Sequence, residues 1–405
     1  MRKEQIRRAL RSFAGPLMGV QIALGIFTIF RHFSYLPTYQ ESREYLEAGL
    51  ALRFDEYTGV VYPLFLAGVS RLSFAHEWVY AALIQGIQLL CFYMVSFLFF
   101  GLWTGDKKKK AFLSGFLTTI PGILLLHLSA LPQSFQLSFC LLLITCMLYV
   151  FQKKAGWNKL VILVVVVALV VSICNLTMQV PGSRGKMQKS VEAAMLQRFV
   201  WPHFGTNYFW WDQEVQAVMS QNEAITISRF ENKVVDEFGP KMEQAYGEKE
   251  ARRHYLAMTK STITQRTKEV CLDILADARD YALIPYTEMR NLKGIGTSET
   301  GWNYRKWMEH SGVVERAYWW YGRAISLLLA VAGLISLIVA GKEVRRHTGL
   351  LLAAVFACFN FVIVVFRDNV PVDGRHAGMI MMFYGLIGLF TWKWTEDETY
   401  EESAH

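Results

Sequence analysis

The chain has no cysteine framework. Its six cysteines are scattered over 405 residues: Cys91, Cys140, Cys146, Cys174 and Cys358 fall in apolar stretches, and Cys271 stands alone in a polar region. No spacing suggests a disulfide scaffold or a metal-ligand set, so these thiols are expected to be small buried hydrophobes. A Walker sequence is also missing, which argues against a nucleotide-driven pump. No internal repeat is evident, which argues against the paired halves of many secondary transporters. The first apolar stretch, residues 12–30, has no small-residue cleavage site and is too long for a removable leader, so it is expected to stay as a signal anchor. Polar residues within the apolar runs are few and uncharged: Gln21, Gln85, Gln88, Asn175 and Asn360. A transport path normally uses more. The Asn175-Leu176-Thr177 sequon lies inside an apolar run, where no transferase reaches it.

What the chain has in abundance is apolar surface. Hydrophobic residues make up 53% of it, and mean hydropathy is +0.23. Apolar blocks of about twenty residues recur, the length that crosses a hydrocarbon core of roughly 30 Å. The formal net charge of +8 is not spread as a nucleic-acid binder would spread it. Basic residues gather in short clusters between apolar blocks: Arg2, Lys3, Arg7, Arg8 and Arg11; Lys107 to Lys110; Lys153, Lys154 and Lys159; Lys342, Arg345 and Arg346. That is the positive-inside pattern of a multi-pass protein.

Placing every cluster inside gives an all-α polytopic membrane protein with eight spans and both termini cytoplasmic. The expected spans are residues 12–30, 78–103, 111–131, 135–151, 160–180, 324–340, 349–366 and 377–392. Residues 62–72 are apolar but too short to cross, and are expected to form an interfacial or re-entrant helix. The domain plan is a membrane module, residues 1–180, with a first external loop at 34–75; an external domain, 181–317; and a second membrane module with an acidic tail, 318–405. The external domain is expected to be small and mainly helical. Tyr255, Met258, Ile263, Val270, Leu272, Ile274 and Leu275 recur there at near-helical spacing. Trp201-Pro202, Gly239-Pro240 and Ile284-Pro285 punctuate it. Tyr318-Trp319-Trp320-Tyr321 is expected as an aromatic belt at the outer membrane surface.

The first external loop raises a separate question. Residues 39–68, "YQESREYLEAGLALRFDEYTGVVYPLFLAG", carry five carboxylates together with Arg43 and Arg53, immediately beside the bilayer. Here Glu41-Ser42-Arg43-Glu44-Tyr45 is followed by Tyr62-Pro63 and a short apolar run, then by "HEWVYAALIQGIQLL" at residues 76–90. This order resembles the first external loop and second span of GT-C glycosyltransferases, nearest the branch of protein O-mannosyltransferases and the bacterial aminoarabinose transferase. That family opens its loop with Asp-x-x-x-Tyr and places Tyr-Pro before a membrane-hugging helix. Arg375-His376, before the last expected span, resembles the family's Arg-Tyr pair. The resemblance covers about residues 11–151, and 367–392 more weakly. Glu41 stands where the family has Asp, and Pro132-Gln133 stands where it often has Thr-Glu.

The resemblance implies a GT-C-like helical bundle and a polyprenyl-phosphate-linked sugar donor. The acceptor would belong to the cell envelope or to a protein, and the reaction would run at the outer face of the plasma membrane. Such chemistry needs a carboxylate to take the acceptor's proton, and Glu41 is the candidate general base. Glu44, Glu47, Asp55 and Glu56 read more simply as solvated or turn positions. The departing lipid phosphate needs cations, and an arginine fork suits it. Arg43, Arg198, Arg367, Arg375 and His376 are the candidate substrate contacts by their expected place at outer span ends, and Tyr45 and Tyr62 by motif position. No cofactor is assigned, and a divalent metal at the phosphate is left open. The second reading is a non-catalytic relative that binds a polyprenyl lipid or a partner protein.

Overall fold

The computed structural model describes residues 2–32, 37–38, 40–52, 60–74, 76–152, 192, 195–200, 239–282, 293–294, 313, 317–318, 320–321, 324, 357–358, 360–362 and 380–389. The expected span at 160–180 lies outside them, as does nearly all of 324–340 and of 349–366. The described chain is mostly helical, as expected. It divides into two compact units: residues 1–181, 283–358 and 373–405, and residues 182–282 with 359–372.

In the first unit α1 runs from Arg2 to His32. A two-residue strand β1, Pro37–Thr38, pairs antiparallel with β2, Lys293–Gly294, a ladder that helical periodicity gives no sign of. Then come α2 (Gln40–Ala51), α3 (Val61–Leu72), α4 (Glu77–Gly101), α5 (Lys107–Thr118), α6 (Pro121–Leu128) and α7 (Gln133–Gln152). A further helical stretch, Ile380–Leu389, belongs to the same unit. By length and composition α4 can cross a membrane, and α5 with α6 can do so together. Shorter apolar helices are Gly15–Phe30, α3, Gln133–Tyr149 and Ile380–Leu389.

The third expected span, 111–131, is not one helix. It breaks between α5 and α6 with a bend of 76°. Pro121 has no backbone N–H, and a residue before proline is pushed out of the helical region. Ile120 obeys, at φ −58° and ψ 128°. The break frees the Thr119 carbonyl, and the Tyr318 hydroxyl donates to it. This corrects the expected aromatic belt. Tyr318 is fully buried, and Tyr321 donates to the Leu17 carbonyl of α1. Only Trp320 of the described members is about half exposed. Lys107 to Lys110 form the first turn of α5, whose N-cap Asp106 accepts from the Lys108 N–H at 2.9 Å.

Two features adapt these helices to apolar surroundings. Hydroxyls within them turn back onto the preceding turn: Thr28 onto Leu24, Ser96 onto Phe92, Thr118 onto Ser114, Ser129 onto Leu125 and Thr145 onto Leu141, each within 2.7–2.9 Å. A buried hydroxyl is thereby satisfied inside its own helix. The cysteines are less buried than expected: Cys91, Cys140 and Cys146 are partly exposed, and Cys271 and Cys358 are exposed. Their small apolar side chains sit at the edges of helix faces, where sequence position alone does not fix burial.

In the second unit a π-helical turn, Leu196–Val200, packs against α9. The helices here are α8 (Gly239–Tyr246), α9 (Glu248–Gln265) and α10 (Thr267–Ala282). The helical expectation over 248–281 holds, with a break at Arg266. The face is corrected in part. Tyr255, Met258 and Val270 are buried, whereas Leu272 and Leu275 are exposed at 55% and 63%, because the break at Arg266 resets which face α10 turns inward. Burial raises the Tyr255 phenol above its ordinary value of 10.0, and Glu243 adds to the rise. The folded unit therefore keeps a proton that the unfolded chain releases near pH 10. Its contribution to stability is complete below pH 10 and is lost as the pH rises further. Alkaline unfolding followed by circular dichroism is expected to move to higher pH in Tyr255→Phe relative to the parent.

Candidate functional site

The segment after α1, expected as the first external loop, folds as a helical hairpin over α2 and α3. α2 and α3 pack closely at Gly49, where a Cβ would lie 2.7 Å from the Leu66 Cβ and 3.2 Å from the Pro63 carbonyl oxygen. Any side chain here pushes the helices apart. Tyr62-Pro63 falls in the first turn of α3, where the missing N–H of proline costs nothing. One face of α3 buries Tyr62, Pro63, Leu66, Ala67 and Val69. The other exposes Val61, Leu64 and Leu72, with Arg71 in the last turn.

Tyr62 is the centre of the hairpin. Its ring meets Tyr45 of α2 edge-on, with centroids 5.5 Å apart. Phe65 lies at 5.7 Å and Phe135 of α7 at 6.2 Å. Phe65 and Phe135 in turn meet edge-to-face at 4.9 Å. Leu66, Val69, Ala81, Ile84 and Ala130 complete the cluster. Burial, with Tyr80 and Tyr45 beside it, holds the Tyr62 phenol well above its ordinary range, so it remains a donor.

That donor has a specific target. The Tyr62 hydroxyl donates to Gln88 Oε1 at 3.0 Å. Gln88 Nε2 donates in turn to the carbonyls of His127 at 2.8 Å and Ser129 at 2.9 Å. One turn earlier, Gln85 Nε2 donates to the Leu128 carbonyl at 3.0 Å. Two amides of α4 thus meet the carbonyls at the end of α6, which has no following turn to receive them. His127 Nδ1 and Ser134 Oγ share a hydrogen bond of 2.5 Å that closes the α6–α7 corner, and the imidazole lies 4.7 Å from the Phe92 ring. Tyr80 Oη, His127 Nε2 and Gln133 Oε1 are buried without a hydrogen-bond partner.

Of the candidate residues, the structure brings Tyr45 and Tyr62 together. Glu41 lies on α2 one turn before Tyr45 and Arg43 two residues before it, and the side chains of both lie outside the described residues. Arg198 is buried in the π-helical turn of the other unit, with its guanidinium 5.8 Å from the Phe199 ring. Arg367, Arg375 and His376 lie outside the described residues. Among the described residues no three side chains of His, Cys, Asp or Glu come together to hold a metal ion. Sequence reasoning noted Gln85 and Gln88 only as uncharged polar residues of an apolar run, and passed over His127 and Ser134. The available signal was two glutamines three apart on one face of an apolar helix, together with a proline inside an expected span.

Comparison with known proteins finds no matching family model, no matching curated protein and no matching solved structure.

The hairpin packing is open to a direct test. Gly49→Leu is expected to separate α2 from α3 and destabilise the first unit by about 1–3 kcal/mol, the range for overpacking. Gly49→Ala is expected to cost less. Thermal unfolding in detergent, followed by tryptophan fluorescence, reads both.

Proposed function

We propose that the chain is a membrane glycosyltransferase of GT-C type, with about eight spans, residues 181–317 outside and both termini cytoplasmic. It moves a hexosyl or pentosyl group from a polyprenyl-phosphate donor to an acceptor at the outer membrane face. The observation that carries this reading is the order of elements over residues 2–152. A long helix is followed by a surface hairpin whose second helix begins with Tyr-Pro, then by the long apolar α4. That is the arrangement the Glu41-x-x-x-Tyr45 and Tyr62-Pro63 resemblance implies.

The chemistry follows from the residue types. The acceptor hydroxyl oxygen attacks the anomeric carbon, and the bond from that carbon to the phosphate oxygen breaks. The phosphate leaves with the electron pair, and Glu41 takes the hydroxyl proton. Direct displacement inverts the anomeric centre. Arg43, Arg375 and His376 supply the cationic groups for the phosphate; Arg198 and Arg367 belong to the second unit. Tyr45 is the aromatic group one turn from the base, and Tyr62, buried beneath it, holds it in place. A specific observation favours the second reading, a lipid-binding relative without catalysis. The polar groups described around Tyr62 are two amides, hydroxyls and an imidazole already tied to Ser134 Oγ, and the bonds they make go to the α6–α7 corner, a set that serves to hold the fold.

Two measurements test this. Glu41→Gln is expected to lose about 10²–10⁴-fold in sugar transfer from polyprenyl phosphate, the usual worth of a general base, while Glu41→Asp retains more and Glu44→Gln stays near the parent. Full activity in Glu41→Gln with loss in Asp55→Asn moves the base to the second acidic cluster. For topology, a cysteine placed at Gly247 in an otherwise cysteine-free chain is expected to react with an impermeant maleimide on intact cells. Reaction only after lysis overturns the external placement.

A further inference from the structure

The depth of the α6–α7 corner gives Gln88 a role beyond packing, on the reading that the first unit sits in a bilayer. α4 spans 25 residues, about 37 Å of helix. Gln88 stands about 20 Å along it from Gly101, next to the turn held by Lys107 to Lys110. α5 rises only about 18 Å before the 76° bend. α7 then returns alongside α4, against which it packs along its length, with Phe135 set on the cluster that holds Ala81 and Ile84 of α4. The corner from Ser129 to Gln133 therefore stops about 10 Å short of the far side of a 30 Å hydrocarbon layer. Non-helical backbone at that depth persists only where protein groups satisfy it. Gln85 and Gln88 are those groups. Gln88 has one acceptor left after serving the corner, and Tyr62 of the surface hairpin uses it.

We propose that Gln88 is a positioning residue: it is the joint through which the embedded α6–α7 corner fixes the α2–α3 hairpin, and so the helix that carries Glu41. The argument rests on the bond directions. The two donor hydrogens of Gln88 go to backbone carbonyls of the corner, which cannot rotate away. The amide plane is thereby set, and its oxygen has one fixed place to offer Tyr62. Tyr62 then seats Tyr45 edge-on, one turn from Glu41 on the same helix. Every link is a directed hydrogen bond or a ring contact, so the hairpin has one register against the bundle. A hydrophobic contact in place of the hydrogen bond would allow α3 to slide.

Cross-linking in membranes tests the joint without reference to activity. Two reporter pairs are built in otherwise cysteine-free chains: Phe65→Cys with Phe135→Cys between α3 and α7, and native Cys91 with Ser138→Cys between α4 and α7. Tyr62→Phe is expected to slow cross-linking of the first pair by a short bifunctional thiol reagent about fivefold, the worth of one buried hydrogen bond, and to leave the second pair at its parent rate. Gln88→Met, which keeps the volume, is expected to slow both. Parent rates for the first pair in Tyr62→Phe overturn the proposal, and equal slowing of both pairs in that variant overturns it in favour of general loosening. In the sugar-transfer assay, Tyr62→Phe is expected to lower kcat on the order of tenfold, as a misplaced group does, with KM unchanged. A parent chain that transfers no sugar overturns the functional reading, while the cross-linking ratios still decide the joint.

Discussion

A carbonyl group left without a helical partner in apolar surroundings is the constraint on which the first unit turns. Pro121 ends α5 and bends the chain, and α6 ends eight residues later at a corner with no further turn. Each end releases backbone acceptors that water does not reach. An unmet buried acceptor costs about 1–3 kcal/mol, and several together exceed the margin by which a domain is stable. The chain meets them with side chains from other elements. Tyr318 serves Thr119, Gln85 serves Leu128, and Gln88 serves His127 and Ser129.

This arrangement fixes more than a turn. Gln85 and Gln88 reach the corner only if α4 lies beside it with one face inward, so the two amides set the rotation of the longest apolar helix. The face they define also buries Ala81, Ile84 and Phe92 and leaves Leu90, Met94 and Leu98 exposed at 53–61%, an apolar strip suited to lipid. Close approaches at Gly25, where a Cβ would lie 2.5 Å from the Thr119 Cβ, and at Gly385, 2.9 Å from Ile120 Cδ1, bring α1 and the Ile380–Leu389 helix onto the same break. The bend is thus the packing centre of the described first unit.

The functional consequence is a division of labour. The bundle interior uses uncharged polar groups, whose burial is affordable when each is paired. On the glycosyltransferase reading proposed above, the charged groups for phosphate and proton chemistry come from the loop and the expected outer ends of spans. The α2–α3 hairpin meets the bundle through the aromatic cluster of Tyr45, Tyr62, Phe65 and Phe135, and α2 carries Glu41, Glu44 and Glu47 in its sequence.

Much of this was legible in the sequence. Apolar length marked α4, and an apolar run too short to cross marked α3 as an interfacial or re-entrant helix. Periodicity marked α9 and α10, and motif spacing singled out Tyr45 and Tyr62. These features are local: helix propensity, apolar run length and the missing proline N–H act within a few residues of themselves. Three things were decided only by tertiary structure. The third expected span is two helices, Tyr318 is a buried donor and not a surface aromatic, and Gln88 is the partner of Tyr62. Each depends on which distant donor meets a carbonyl that a local break has freed. A glutamine in an apolar helix states that some partner must exist. Only the packing of α3, α4, α6 and α7, separated along the chain but adjacent in space, determines which one it is.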